Sequence, residues 1–314
     1  MTPELSVVIP VRNGELFLPD LFAALEAQTL ARDRFEVVVV DNNSTDGTPE
    51  LLAEWADAKP GRRVLEARSI GPAHARNVGV RHAAGRWIVF TDCDTVPDPG
   101  WLEAFARAAA QDGATALEGC VVAWPPEAVG PHTHQISNES GGKYVTANMA
   151  YRRDVLEQLG GFDERFRQAF LEDSDLAFRA LDAGVTIVFS PDARVRHRVL
   201  PMSTRDAFGS ARRLRWLPLL ASKHPHRYRN QLRPHFGPLS RVDVRILLGL
   251  VALATLTRSR GPAGIASAAI AADGVRVGVL RARTSGSLLL SFGLPVWKLG
   301  WWLEGCRRHR RLTW

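Results

Sequence analysis

Short apolar runs alternate with helical patterns through the first half of the chain, and this alternation constrains the fold most. Residues 5–10, 35–40 and 87–91 are nearly free of polar side chains, and residues 15–28 space their apolar side chains as a helix does. Strands separated by helices form parallel βαβ units, and continuous apolar strands lie in a sheet covered on both faces. The sequence therefore predicts an α/β fold, a mostly parallel sheet sandwiched by helices.

Net charge divides the chain into two parts. Residues 1–191 hold 17 basic and 28 acidic side chains, whereas residues 192–314 hold 23 basic and 5 acidic ones. Opposite charges predict different tasks for the two parts. We expect one domain over residues 1–200 and a helical, basic and tryptophan-rich region over residues 201–314. The acidic first part argues against nucleic acid as its main partner, because phosphate contacts require clustered Lys and Arg. The basic region could bind nucleic acid, but that function would leave the acidic side chains of the first part without a purpose, so we expect no such partner.

Cysteine usage and the first residues bear on the cellular compartment. Cys93, Cys120 and Cys306 are too few for a disulfide framework, and no CxxC pair is present to bind zinc. Residues 1–10 are typical of a first strand and not of a signal peptide. We therefore expect a cytoplasmic protein.

Polar segments follow three of the predicted strands, at residues 10–14, 41–47 and 92–94. The ends of parallel strands meet at one edge of a sheet, where ligands bind. Asp, Asn and Gly at a strand end are also typical of turns and helix caps. Carboxylates from three ends would nevertheless repel one another without a cation or a donor-rich ligand among them. Asp92 and Asp94 point the same way from an extended chain and suit Mg²⁺ or Mn²⁺, although an Asp-x-Asp pair also occurs by chance.

An acidic segment, residues 171–175, begins a predicted helix. Acidic side chains in a first turn stabilise the helix dipole. The alternative is a general base, because neighbouring carboxylates raise one another's pKa towards neutrality. Both interpretations remain open from the residues alone.

Histidines follow in two places. The alternating residues 193–197 predict an edge strand that ends in His197, separate from a strand at residues 185–190. His132 and His134 lie in a long polar stretch, where they are either solvated or metal ligands.

Taken in order, the segments between residues 5 and 200 resemble the family 2 glycosyltransferases. These are inverting enzymes of the GT-A fold that use nucleotide-diphosphate sugars. The resemblance rests on residues 6–10 with Asn13 and Glu15, residues 38–48 with Asp41 and Asp46, the ARNVG sequence of residues 75–79, Asp92-Cys-Asp94, residues 148–150 and 161–163, and Glu172-Asp173.

The resemblance implies a role for each matching residue. It places the nucleotide against Pro10, Arg12, Glu15 and Asp41, and the diphosphate near Arg76. Asp92 would bind the ribose or sugar, whereas Asp94 and His197 would bind a divalent cation, Mn²⁺ or Mg²⁺. Asp173 would be the general base, with Glu172 and Asp175 shaping its electrostatic field. Asn148, together with Asp175, would lie near donor or acceptor.

The basic region contains a further partial motif. Residues 212–216 resemble the QxxRW element of processive polysaccharide synthases, but Arg212 stands where Gln is expected, so processivity is not predicted. Arg215 and Trp216 either contact donor or acceptor, or belong to a helix that packs within the protein.

Apolar stretches in the basic region suggest a membrane surface. Residues 246–257, 262–272 and 284–297 fall short of the ~18 uncharged residues of a spanning helix. Arginines interrupt them, a basic run lies at residues 307–311, and the same region holds Trp297, Trp301, Trp302 and Trp314. Apolar faces beside basic faces are typical of helices that lie in the interface of an anionic membrane. The alternative is a helical subdomain with a basic, solvated exterior.

The resemblance predicts an inverting transfer of a sugar from a nucleotide-diphosphate donor to an acceptor hydroxyl. A lipid-linked or cell-envelope glycan is the expected acceptor, and the inner face of the cell membrane the expected location. The alternative is a non-catalytic sugar-nucleotide-binding or membrane scaffold protein of the same fold. A nicotinamide dehydrogenase is disfavoured because no GxGxxG follows the first strand. The sequence does not indicate the oligomeric state.

Overall fold

The computed structural model describes residues 2–57, 59–68, 71–130, 133–232, 239–255, 262–285, 287 and 289–309. The chain divides into two compact units. The first comprises residues 1–129 and 134–200, and the second comprises residues 130–133 and 201–314.

An eight-stranded sheet forms the centre of the first unit, in the order β3-β2-β1-β4-β8-β6-β9-β5. Strand β1 is parallel to β2 and β4, β2 to β3, and β6 to β9, whereas β8 and β5 run antiparallel to their neighbours. The predicted α/β architecture with a mostly parallel sheet is therefore confirmed. The strands are β1 Leu5–Val11, β2 Phe35–Asp41, β3 Arg62–Glu66, β4 Trp87–Phe90, β5 Thr95–Pro97, β6 Ala116–Trp124, β8 Met149–Arg152 and β9 Ile187–Arg198; β7 Thr133–His134 and β10 Leu200–Pro201 are two-residue strands.

Helices cover both faces of the sheet because alternate strand residues point to opposite sides. In β1, Leu5, Val7 and Ile9 belong to one buried cluster, and Val8 belongs to the other. Helices α1, α2 and α4 supply the first cluster, and α3, α5 and α6 supply the second. Their bounds are α1 Leu18–Glu26, α2 Thr48–Asp57, α3 Pro72–His82, α4 Trp101–Ala109, α5 Arg153–Leu159 and α6 Glu172–Asp182.

The end of the sheet differs from the sequence prediction. The two strands expected at residues 185–190 and 193–197 are one strand, β9, whose pairing register shifts opposite Gly119 and Cys120. The prediction of an edge strand is wrong, because β5 pairs on its outer side and sets Thr95 opposite His197. Three residues are too few for a periodic pattern, so the sequence did not reveal β5.

The second unit is helical. Asp243 is fully buried and binds Arg281 at 2.6 Å and Lys298 at 3.0 Å, so one carboxylate joins α10, α11 and α12. Across the described part of the chain, every helix is too short or too polar to cross a membrane. The helices are α7 Thr204–Ala211, α8 Leu217–Lys223, α9 Pro225–Arg227, α10 Arg241–Thr255, α11 Pro262–Ser285 and α12 Leu294–Arg308.

Candidate active site

The loops after β1 and β2 interlock at the carboxyl edge of the sheet. Asn13, with a left-handed φ of 54°, accepts a hydrogen bond from the Thr45 N–H at 2.8 Å and donates its own N–H to the Ser44 hydroxyl at 2.9 Å. The Glu15 carboxylate accepts from the Gly47 N–H at 3.0 Å. These contacts fix two neighbouring loops as one rim beside the strand ends.

The residues expected to bind the nucleotide lie along this rim. Asp41 ends β2 and accepts from the N–H and the hydroxyl of Ser44, at 3.2 and 2.5 Å. Pro10 is half-buried in β1, and Arg12 follows it in an exposed position. Asp46 accepts from the Glu15 N–H at 3.3 Å and so belongs to the loop framework.

Asp92, Asp94 and His197 form a cluster whose ligand atoms all lie within 4.8 Å of one another. His197 is 1% exposed, and its Nε2 lies 3.6 Å from an Asp94 oxygen. The pairing of β5 with β9 produces this approach. Burial raises the pKa of Asp94, the neighbouring Asp92 raises it further, and His197 opposes both effects. Two carboxylates and one imidazole crowded in this way are a donor set that fits a divalent cation such as Mn²⁺.

Arg76 connects this cluster to the acidic helix. Its guanidinium donates from Nη1 to Glu172 at 2.9 Å and from Nη2 to Asp92 at 2.8 Å. Burial lowers the pKa of Arg76, but the two carboxylates outweigh burial and hold that pKa above its usual value. Arg76 therefore holds carboxylates from two distant segments together, a contact that the sequence did not indicate.

Asp173 lies beside this ion-pair network at the start of α6. Burial and the negative charge of Glu172 raise the pKa of Asp173 to about 7, against the opposing effects of the Ser174 N–H and Arg76. Leu171 precedes the helix with a φ of 75°, in the left-handed region that a leucine rarely adopts. The Glu172 carboxylate turns back to accept the Phe170 N–H at 2.7 Å. Asp173 is half-buried. Because its pKa lies near 7, its carboxylate can exchange a proton near neutral pH.

Two residues expected near the substrate lie in the interior instead. Asn148 is fully buried, accepts from Trp101 Nε1 at 2.8 Å and donates to the carbonyls of Cys120 and Ala193. Asp175 is also fully buried and binds Arg179 at 2.9 Å. Their polar atoms are paired within the fold, which favours a structural role for both residues.

The ARNVG segment contains two further residues, Asn77 and Gly79, whose structural roles the sequence did not reveal. Asn77 accepts from the Phe162 N–H at 2.8 Å and donates to the Phe162 carbonyl at 2.9 Å, which fixes the turn before α6. Gly79 lets α3 lie against β1, because a Cβ there would lie 2.4 Å from Val8. The available signal was a polar residue and a glycine two positions apart in a helix whose middle is buried.

His134 and Cys93, two residues considered in the sequence analysis, lie near the cluster. His134 lies edge to face with His197, with ring centroids 6.4 Å apart, whereas His132 falls outside the described residues. Cys93 is partly buried and packs against the first buried cluster, and burial raises the pKa of its thiol. Its placement agrees with a packing role.

Arg215 and Trp216 belong to the second unit. Trp216 is 4% exposed, and the Arg215 guanidinium lies 5.3 Å from the ring centroids of both Trp216 and Trp301. A Cβ on Gly305 would lie 2.3 Å from the Arg215 carbonyl oxygen, so α12 packs directly on this segment. These contacts favour the packing interpretation of the RW pair over substrate contact.

Comparisons with known proteins identify a family and a fold that this chain shares. The family model described as Glycosyl transferase family 2 matches residues 6–170. Glycosyltransferase AglE of Haloferax volcanii is 31% identical over 209 residues, which cover 63% of this chain and 68% of AglE. The O-antigen biosynthesis protein RfbC of Myxococcus xanthus is 28% identical over 241 residues, which cover 67% of this chain but 18% of RfbC. The chain thus spans two thirds of one relative and less than a fifth of the other.

A solved structure extends the likeness to the fold. The mannosyltransferase PcManGT from Pyrobaculum calidifontis, in complex with GDP-Man and Mn²⁺, superposes with a TM-score of 0.56 over 99% of this chain and 88% of that one. The two sequences are 24% identical, so this likeness concerns the fold. The segment matched by the family model contains Arg76, Asp92 and Asp94 but ends just before Glu172.

Proposed function

Because the chain belongs to glycosyl transferase family 2 and has its GT-A fold, we propose that it transfers a sugar from a nucleotide diphosphate to an acceptor hydroxyl with inversion. The observation that carries this proposal is the network centred on Arg76. It joins Asp92, next to the candidate cation site, to Glu172, next to the candidate base. Donor and acceptor groups would meet between them.

Asp173 is the general base of this proposal. Its pKa of about 7 lets it accept a proton from the acceptor hydroxyl near neutral pH. As that proton moves to Asp173, the acceptor oxygen forms a bond to the anomeric carbon. The bond from that carbon to the diphosphate breaks on the opposite face, and its electron pair leaves with the diphosphate. Attack opposite the departing group inverts the configuration and requires no covalent sugar–enzyme intermediate.

Asp92, Asp94 and His197 are the residues that would hold a divalent cation, Mn²⁺ or Mg²⁺. A cation there would neutralise charge on the departing diphosphate. The structural support is that burial, and after it the charge of Asp92, raises the pKa of Asp94, because a cation there would favour the ionised carboxylate. PcManGT, which shares the fold, was solved with Mn²⁺ and GDP-Man.

The rim formed by the loops after β1 and β2 would bind the nucleotide. Pro10, Arg12, Glu15 and Asp41 line that rim, and the carboxylate of Asp41 can accept from a base N–H. Arg76 would act behind the diphosphate by fixing Asp92, since its Nη1 and Nη2 groups already donate to two carboxylates.

We also place the reaction at the inner face of the cell membrane, with a lipid-linked or cell-envelope glycan as acceptor. RfbC is named for O-antigen biosynthesis, and residues 192–314 carry 23 basic against 5 acidic side chains. A basic surface would favour an anionic lipid headgroup region.

Thermal stabilisation by a panel of sugar nucleotides with Mn²⁺ identifies the donor, because a bound ligand raises apparent stability. With that donor, the Asp173→Asn variant should still bind but transfer at least ~100-fold more slowly. Asp192→Asn, at a side chain 79% exposed, is the matched control and should transfer as the parent does. Turnover by Asp173→Asn equal to that of the parent would exclude Asp173 as the base.

A further inference from the structure

Helices α10 and α11 expose aliphatic side chains that a soluble surface would normally bury. Leu248, Val251 and Leu253 of α10 are 52–62% exposed. On α11, Ile270, Val275, Val279 and Leu280 are 38–49% exposed. Single exposed aliphatic residues are ordinary, but a group of seven on two paired helices marks an interaction surface.

These side chains are exposed although the two helices are firmly packed together. A Cβ on Gly249 would lie 2.6 Å from the Gly274 Cα, so the backbones touch. Arg245 of α10 donates to Asp273 of α11 at 2.8 Å. Ile246 and Val277 fill the buried sides of the pair. The exposed aliphatic residues therefore lie on the outside of the packed helix pair.

The charged side chains beside these exposed aliphatic residues are mostly basic. Arg241 and Arg245 precede Leu248 on α10, and Arg276 and Arg283 lie within a turn of the exposed residues of α11. Asp243 and Asp273, the acidic side chains of the two helices, are both bound to cations within the unit. A second copy of the chain would bring like charges together, whereas an anionic lipid surface complements them.

We propose that the exposed aliphatic residues of α10 and α11 insert shallowly into the headgroup region of an anionic bilayer, together with their flanking arginines. Aliphatic side chains would enter the acyl boundary by ~5–10 Å while the arginine heads reach lipid phosphates. The proposal rests on the membrane location proposed above and names the surface responsible.

Sedimentation of the full chain with vesicles of phosphatidylglycerol and phosphatidylcholine tests this surface. The variant with Leu248→Gln, Val251→Gln, Val275→Gln and Val279→Gln should partition at least tenfold less than the parent. Leu16→Gln, which removes a leucine 83% exposed in the first unit, is the matched control and should bind as the parent does. Circular dichroism verifies folding, and the pair Val251→Gln with Val275→Gln replaces the fourfold variant if that variant unfolds.

Several outcomes would overturn the proposal: a parent that does not sediment with the vesicles, a fourfold variant that binds equally well, or a variant whose only change is conversion of a dimer to a monomer. Asp173→Asn should bind vesicles as the parent does. Failure of glycosyl transfer and failure of membrane insertion are therefore distinguishable.

Discussion

Replacing Arg76 with Met should destabilise the first unit by about 3 kcal/mol. Methionine keeps most of the side-chain volume but leaves the Glu172 carboxylate, 4% exposed, without its cation. Breaking a buried ion pair costs ~3–5 kcal/mol, and we take the lower end because Asp92 is 24% exposed and regains water. At roughly 2–4 °C per kcal/mol, the unfolding midpoint should fall by roughly 6–12 °C.

Hydrogen exchange of the α3 and α6 amides measures this loss in the first unit alone, since the chain has two compact units and a global unfolding curve would combine them. Glu172→Gln and the double variant complete a mutant cycle. Because the double variant leaves no buried carboxylate unpaired at position 172, it should recover at least ~1 kcal/mol relative to additivity. A loss below ~1 kcal/mol in Arg76→Met, or strict additivity, would refute the reasoning.

Three further predictions concern single side chains. The pKa of Asp173 near 7 means that its carboxyl group is protonated and inactive at lower pH, so kcat/KM should rise with pH through about 7; a profile flat from pH 5 to 8 contradicts this. Asp94→Ala should abolish thermal stabilisation by Mn²⁺, and undiminished stabilisation would mean that the cation binds at another site. Asn148→Ala should cost ~1–3 kcal/mol in unfolding free energy by orphaning three buried partners, yet leave donor affinity intact; weakened donor binding at unchanged stability would restore a substrate role.

The strands that carry the strongest apolar runs were predictable, and so was the class of fold. Val37 to Val40 are buried on both faces, which is what an uninterrupted apolar run predicts. Short elements were not predictable: β5 has three residues and exists because β9 offers it a free edge. A strand of that length has no periodicity to detect.

The candidate site was predictable as a set of residues but not as a set of contacts. Motif order along the chain indicated Asp92, Asp94 and Asp173, whereas the bridge from Arg76 to Glu172 spans 96 positions and depends on tertiary packing. Asn148 resembles a motif residue in sequence, yet its side-chain amide is hydrogen-bonded to Trp101 and to two backbone carbonyls. Local patterns show which groups are present, and only the packed chain shows which of them are already paired.

The pairing of β5 with β9 has a consequence for assembly of the domain. Asp94 and His197 are about a hundred residues apart, and that distance must be closed before both can hold one ion. A nascent chain released before β9 has docked would offer only two aspartates. If the proposed cation binds there, its tight uptake would report that β9 has docked beside β5.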